Sequence, residues 1–316
     1  MPDGAPGPSV VIAAHNEERV LGRCLESLTA GATATGLEIV VAANGCSDGT
    51  ADVARSFPGV TVVELPRPGK AAALNAAEAV ATGFPRIYLD ADICLMPDQL
   101  ESLCDALTIA GVGPGGSAPT ATTPLLTYPR RRMDVRGRPP LVRAYYAINQ
   151  RLPAFSRGAF GRGVMCVSAV GRRRFEVFPD AIADDLFLDS LFTPAEKRQV
   201  LDAEVVVQAP RRTRDLLRRL ERVRRGNRAL RQELEDDPTV SVPAVHTLSW
   251  LTDVALRRPW LLPAAGVYVG LTAVAELRSR RRASTGWGRD DSTRAATPAA
   301  LPHTTIHPPA SDPARR

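Results

Sequence analysis

The chain has 316 residues, 44% of them hydrophobic and 5% aromatic, and a formal net charge of +6. That composition suits a globular protein with a real core, long enough for one large α/β domain plus appendages. Its five cysteines (Cys24, Cys46, Cys94, Cys104 and Cys166) are odd in number and lack C-x-x-C spacing, which argues against a zinc site or a disulfide framework and for a reducing compartment.

The positive charge is almost entirely arginine; Lys70 and Lys197 are the only lysines. Such a skew follows from a high-GC genome, so it says little about function, but it makes each retained lysine a candidate for a specific role. Met1-Pro2-Asp3-Gly4 has neither a charged n-region nor an apolar h-region, and no secretory signal peptide is expected.

In chain order, Val10 to Ala14 is a short apolar run, as a buried parallel strand requires. Glu17 to Leu28 carries Val20, Leu21, Cys24, Leu25 and Leu28 at helical spacing. Leu37 to Ala43 and Val60 to Leu65 are further strands, with Thr50 as an N-cap for a helix over 51–56. Lys70 to Ala81 is an alanine-rich helix, and Arg86 to Asp90 a fourth strand. Repeated strand–helix units of this kind imply an α/β fold with a doubly wound, mostly parallel sheet.

Beyond Ala110 the pattern loosens. Gly111 to Pro129 is rich in Gly, Pro and Thr and reads as a long loop or irregular strand. Helices are expected over 141–152 and 184–192, and strands over 163–169 and 200–208. A strongly basic helix over 213–234, an apolar helix over 260–277 and a disordered Pro/Thr/Ala tail from 283 complete the chain. The boundaries expected are therefore 1–210 for the catalytic domain (8–110 and 111–210 as its halves), 211–245 for a basic helical extension, 246–282 for a membrane-associating segment, and 283–316 for the tail.

Ligands of open parallel sheets sit beyond the carboxyl ends of the strands. Polar residues collect at four such ends: His15-Asn16-Glu17, then Asn44 to Thr50, then Gly69-Lys70, then Asp90-Ala91-Asp92. Two aspartates inside an apolar run are costly to bury unless paired or metal-bound, and hard oxygens suit Mg²⁺ or Mn²⁺ completed by phosphate oxygens and water. Alone, Asp90-Ala91-Asp92 reads first as a strand-end turn with two solvated aspartates; the polar clusters at the other three strand ends are what raise the metal reading. Lys70 at a helix start makes a good phosphate site, or an exposed turn lysine. Asn44 and Asp48 could recognise a base or ribose, while Asp48 with Thr50 could equally cap the next helix. His15 is expected to line a nucleotide pocket.

The stretches VVIAAHNEE, IVVAANGCSDGT, GKAAALN and YLDADI, in this order, make residues 8 to 110 resemble the donor-binding half of a family 2 glycosyltransferase of the GT-A fold. The resemblance implies an inverting enzyme in which Glu17, Asn44, Lys70 and Asp90 contact a nucleotide-diphosphate sugar and Asp92 is the principal metal ligand. One departure stands out: many members carry paired aspartates where Ala43 and Asn44 stand here. An amide offers both a donor and an acceptor, so these two residues do not secure specificity for UDP.

On the acceptor side, Ala183-Asp184-Asp185-Leu186 resembles the family's Glu-Asp base motif, which places the base at Asp185 with Asp184 supporting it. The structural alternative is a pair of helix N-terminal acids favoured by the macrodipole. Gly161-Arg162-Gly163 is a weaker candidate for shaping the acceptor pocket. The stretch Arg219 to Gly226 keeps Arg222 but lacks the Gln and Trp that processive members of the family carry, so transfer of a single sugar is expected.

Ten arginines lie between Arg211 and Arg231, with Leu216, Leu217, Leu220, Val223 and Leu230 forming one apolar stripe. Without aromatic interleaving, nucleic-acid binding is not expected; the basic face suits anionic lipid or a lipid-linked acceptor, or is simply solvated. The segment Trp260 to Leu277 is near the ~20 residues of a membrane span, with arginines on both sides. It would span once or lie in the interface, the catalytic domain facing the cytosol of a bacterial cell. Two rivals remain: a GT-A-like nucleotidyltransferase, whose glycine-rich loop is missing after the first strand, and a non-enzymatic basic membrane or nucleic-acid adaptor, which leaves the four strand-end clusters unexplained.

Overall fold

Alternation along the central strands sets the architecture. In β1 (Ser9–Ala14), Val10, Ile12 and Ala14 enter one buried layer, and Val11 enters the other. The same division holds in β2 (Glu38–Asn44), where Ile39 and Val41 oppose Val40 and Ala42, and in β4 (Arg86–Asp90), where Ile87 and Leu89 oppose Tyr88. A strand covered on both faces has no polar side, which is why these segments are continuous apolar runs. The protein is represented by a computed structural model that describes residues 7–30, 36–108, 123–152, 158–180, 183–233 and 258–281.

The seven strands, with β3 (Val60–Leu65), β5 (Leu126–Asp134), β6 (Val164–Val167) and β7 (Lys197–Gln208), lie in the order β3-β2-β1-β4-β6-β5-β7. β3, β2, β1 and β4 are mutually parallel; β6 is antiparallel to β4 and β5, and β7 is parallel to β5. The sheet is thus continuous from the first half of the chain into the second. α1 (Glu18–Thr29) and α4 (Pro97–Asp105) pack into one layer through Leu21, Leu25, Leu100 and Leu103. α3 (Lys70–Glu78) packs into the other through Ala73, Leu74 and Ala77. Short helices α2 (Thr50–Arg55) and α6 (Ala169–Arg172) link strands, and α5 (Pro140–Asn149) follows β5.

Several expectations shift in detail. Thr50 is the first residue of α2 rather than its cap: Gly49 takes the N-cap position, and Asp48 Oδ1 accepts the Thr50 amide at 3.1 Å. The sequence pattern does not announce α4, and β5 takes in the end of the segment expected to be irregular. β5 passes through Pro129 because the pairing with β7 bulges there, shifting register from Val200 to Glu204 and relieving the need for a ladder amide. Residues 109–122 of the expected loop, and the tail from 283, lie outside the described residues.

The basic helix is α8 (Thr213–Glu233) and the apolar one α9 (Leu262–Arg281). α9 packs on α5, where Tyr268 stacks on Tyr145 with ring centroids 5.1 Å apart and Ala265 meets Ile148 and Leu152. It is tied to α8 by Glu276, which pairs with Arg224 at 2.5 Å and Arg228 at 3.1 Å.

Candidate active site

The carboxyl end of β2 is a corner built from hydrogen bonds. Asn44 is fully buried; its Nδ2 donates to Ala14 O at 2.8 Å and Ala42 O at 3.3 Å, and its Oδ1 accepts the Gly69 amide at 3.0 Å. His15 Nδ1 donates to the Asn44 carbonyl at 2.7 Å. Gly45, at φ +56, admits the neighbouring loop: a Cβ there would stand 2.4 Å from Pro68 N. Glu17 is buried with its amide on Thr50 Oγ1 at 2.7 Å. Asp48 accepts from the Thr50 amide, the Thr50 hydroxyl and, at 3.3 Å, the Glu18 amide. The corner therefore uses Asn44 and Asp48, expected at the nucleotide, as backbone anchors. Asn44 satisfies the Gly69 amide in the loop after β3, and Asp48 the Thr50 amide in the loop after β2, donors that would otherwise be left unpaired.

What this corner positions is Lys70. Held at the start of α3 by the Gly69–Asn44 bond, Lys70 places Nζ 2.8 Å from Asp90 Oδ1 and 2.9 Å from Asp184 Oδ2. Burial pushes the Asp184 carboxyl up to about 6; Lys70 opposes this, and the charges of Asp185 and Asp90 add to it. Burial acts the same way on Asp90, but the ammonium of Lys70, with Arg219 and Arg222, more than reverses it and holds Asp90 below the usual carboxylate range. Burial would lower the Lys70 ammonium, yet Asp184 and Asp90 raise it above its ordinary value, so it stays charged.

The loop before β6 closes the other side. Gly163, at φ +72, lets its carbonyl accept the Asp90 amide at 2.8 Å; a Cβ would stand 2.7 Å from Ile93 Cγ1 and 3.0 Å from Asp90 Oδ2. Two residues earlier, the Gly161 amide donates to Asp185 Oδ2 at 2.7 Å, while Asp185 Oδ1 accepts the Leu186 amide at 2.8 Å. Asp184 and Asp185 are the first two residues of α7 (Asp184–Ser190). A small cleft, open to solvent, is lined by Lys70, Asp90, Gly163, Met165, Asp184 and Asp185.

The structure thus brings Lys70, Asp90, Asp184 and Asp185 into one cleft and places His15, Glu17, Asn44 and Asp48 in the adjoining corner. Asp92 follows on the exposed turn after β4. Among the described residues no group of three or more His, Cys, Asp or Glu side chains converges as a metal site. Gly161 and Gly163, a weak sequence signal, prove to hold the two aspartates. Arg131 joins the site without having been expected there: its Nη1 donates to Gly161 O at 3.2 Å. Its only sequence trace is a run of three arginines just after the segment expected to be irregular, where no element was expected.

A doubly wound sheet that runs on into an antiparallel strand, with Lys70, Asp90, Asp184 and Asp185 gathered in one cleft, is an α/β architecture shared with GT-A-fold glycosyltransferases. Residues 9–169 match Glycosyl transferase family 2, and the chain belongs to that family.

Among solved structures, it is similar to the mannosyltransferase PcManGT from Pyrobaculum calidifontis, in complex with GDP-Man and Mn²⁺, with a TM-score of 0.51 and 21% identity over 89% of this chain and 80% of that one. Glucosyl-3-phosphoglycerate synthase from Mycobacterium tuberculosis, in complex with phosphoglyceric acid, gives a TM-score of 0.51 and 19% identity over 76% and 82% of the two chains. At these identities the likeness is one of fold. The chondroitin synthase of Pasteurella multocida (strain Pm70) is 34% identical over 103 residues, 31% of this chain. The match spans 10% of that relative's length.

Proposed function

We propose that the protein moves a single sugar, with inversion, from a nucleotide-diphosphate donor of the UDP-sugar type to a hydroxyl acceptor. The observation that carries this is the Lys70 ammonium held between Asp90 of one half and Asp184 of the other, beside Asp185 in one cleft. Lys70 presents a fixed cation to the donor diphosphate. Asp185, oriented by the Gly161 and Leu186 amides, takes the proton of the acceptor hydroxyl as that oxygen attacks the sugar carbon. Asp184, its charge matched by Lys70, keeps the ammonium in place. Asn44 and His15 act by holding the corner that presents Lys70, and Glu17 and Asp48 by fixing the loop beside it.

Carboxylate oxygens are hard donors: Asp90, lining the cleft, and Asp92, exposed on the turn two residues on, would hold Mg²⁺ or Mn²⁺, with diphosphate oxygens and water completing the shell. Bound there, the ion would neutralise charge on the departing diphosphate. The test is protection against thermal unfolding by UDP with Mn²⁺ or Mg²⁺, compared with GDP, TDP and NADH, followed by hydrolysis of a panel of nucleotide-sugars. Metal-dependent protection by UDP is expected; no response to any nucleoside diphosphate would refute the proposal.

The acceptor is a glycan or a lipid-linked sugar, and the enzyme works at the cytoplasmic face of a bacterial plasma membrane. Residues Pro259–Arg280 are, by length and composition, long and apolar enough to cross a bilayer. Trp260, Leu262, Val269, Val274 and Leu277 are exposed. The packing of α9 on α5 through Tyr145 and its ion pairs with Arg224 and Arg228 favour the reading in which it lies in the interface as an anchor over one in which it spans. Recovery in a membrane fraction that resists salt washing is expected; fully soluble behaviour without detergent would remove the anchor.

A further inference from the structure

Lys197, the second of the chain's two lysines, opens β7. Its Nζ lies 3.1 Å from Asp189 Oδ1 and donates to the Asp189 carbonyl at 3.0 Å. The lysine side chain is 9% exposed and that of Asp189 only 1%. A carboxylate this deeply buried is tolerable only when it is paired. A buried pair of this kind adds little to stability over apolar side chains of similar volume. What Asp189 does besides pairing is therefore the informative part.

Asp189 Oδ1 also accepts the Ala159 amide at 2.7 Å. Ala159 is fully buried, in the loop before β6. Two residues on, the Gly161 amide donates to Asp185 Oδ2 at 2.7 Å. Asp185 and Asp189 are four residues apart on α7, so their side chains stand one turn apart on one face of the helix. That face grips the loop twice. It holds Ala159 through a buried carboxylate and Gly161 through the carboxylate that lines the cleft. The loop is also braced from within: Arg162 Nη2 donates to Gly158 O at 2.8 Å, and its guanidinium covers the Tyr128 ring at 4.7 Å.

We infer that Asp189 and Lys197 are positioning residues for Asp185. Asp189 fixes Ala159, which fixes the place of Gly161 two residues later, and the Gly161 amide aims Asp185. Lys197 holds the Asp189 carboxylate in place by matching its charge. A base already aimed needs no reordering when the acceptor arrives. This inference rests on the transferase proposal above, in which Asp185 is the base, and adds to it what holds that base in line.

The test uses two double variants of the full chain, because Lys197→Met alone leaves a buried carboxylate unpaired. In Asp189→Asn with Lys197→Met both charges go together, and an amide oxygen can still accept from Ala159. In Asp189→Leu with Lys197→Met the branched shape is kept and the acceptor is lost. Each is assayed with Mn²⁺ for hydrolysis of the nucleotide-sugar that the parent cleaves fastest. Water then stands in for the acceptor: its oxygen bonds to the sugar carbon, the bond from that carbon to the diphosphate breaks, and its proton passes to Asp185. The leucine variant should lose about tenfold or more in kcat, as misplacement of a catalytic group implies. KM and UDP affinity should stay within about threefold of the parent. The asparagine variant should recover most of the lost turnover. Equal or reversed kcat values in the two variants would overturn the inference. So would a loss of UDP affinity as large as the loss in kcat, since the pair would then support the site as a whole.

Amide hydrogen exchange over residues 158–163 reads the bracing without turnover. In the parent, the Ala159 and Gly161 amides should be protected well beyond the rates of an unfolded chain. Protection should persist in the asparagine variant and fall in the leucine one. Unprotected amides in the parent, or equal protection in the two variants, would overturn the inference, and the parent measurement stands even if the leucine variant does not fold. If UDP gives no protection and no nucleotide-sugar is cleaved, the transferase proposal fails, and hydrogen exchange then decides separately whether Asp189 and Lys197 hold the loop that aims Asp185.

Discussion

Lys70 Nζ lies 2.9 Å from Asp184 Oδ2, and the two residues open helices in opposite halves of the chain. Lys70 stands at the start of α3, fixed by the bond from the Gly69 amide to Asn44. Asp184 stands at the start of α7, more than a hundred residues later. The contact joins the side expected to hold the donor to the side expected to supply the base. It also lets three aspartates share one cleft, because the ammonium offsets repulsion that none of them could bear in a partly buried site.

Replacing Lys70 by methionine should therefore act on both halves. Asp90 and Asp184 lose their shared cation, and Asp185 remains close by. Breaking such a half-buried pair should cost about 1–3 kcal/mol of folding stability, less than a fully buried pair would. UDP affinity should fall about tenfold or more, as loss of a charge-assisted phosphate contact implies. Denaturant unfolding and a UDP titration measure the two effects. Unchanged UDP affinity in a folded variant would show that Lys70 only balances the aspartates.

Asp185→Asn separates chemistry from binding. The amide can keep an oxygen towards the Gly161 amide, so the loop should hold its place. It cannot take a proton from the acceptor. Turnover should fall by about 10²–10⁴-fold, the usual contribution of a general base, while UDP protection stays near that of the parent. Retained turnover would move the base to another carboxylate, and Asp184 would be next in line.

The central strands are legible because burial on both faces leaves an unbroken apolar run, as in Val10 to Ala14 and Ile87 to Leu89. α4 is not, because its buried positions are only Leu100 and Leu103, too few to set a period. The strand β5 is hidden by Pro129 and three arginines, whose placement depends on a bulge against β7 and on Glu204. At the site, Lys70, Asp90, Asp184 and Asp185 stand out as polar residues at element ends. The role of Asn44 does not, since an asparagine after a strand looks the same whether it faces a ligand or anchors Gly69. Arg131 and Gly163 depend on register between segments far apart in sequence, and no local pattern carries that.

Gly163 gives a sharp test of that register. Alanine there would meet both the +72° φ and the atoms of Ile93 and Asp90. Strain of this kind should cost about 1–3 kcal/mol. The displaced group would be Asp90 itself, so nucleotide affinity should fall together with stability. A variant with parental stability but weakened UDP binding would place the effect in the site alone; one that leaves both unchanged would mean that the loop can shift away from Asp90.

Acid sensitivity should have a component far from the cleft. Glu196 accepts from Arg174, whose Nη1 lies 3.0 Å from Oε2, and from the Thr193 amide and hydroxyl, both at 2.9 Å. The Arg174 hydrogen bonds outweigh burial, and with those of Thr193 they lower the Glu196 carboxyl to about 2. An unfolded glutamate titrates at ~4.3. The folded value is the lower one, so the stabilisation is fully present above the unfolded value and is lost as pH falls from there through about 2. The size should be on the order of 1–2 kcal/mol, since both partners of the pair are partly exposed. Chemical unfolding at a series of pH values between ~5 and ~2 reads it directly: the parent should lose stability more steeply than Glu196→Gln, and equal slopes would show that Arg174 and Thr193 do not favour the ionised carboxyl.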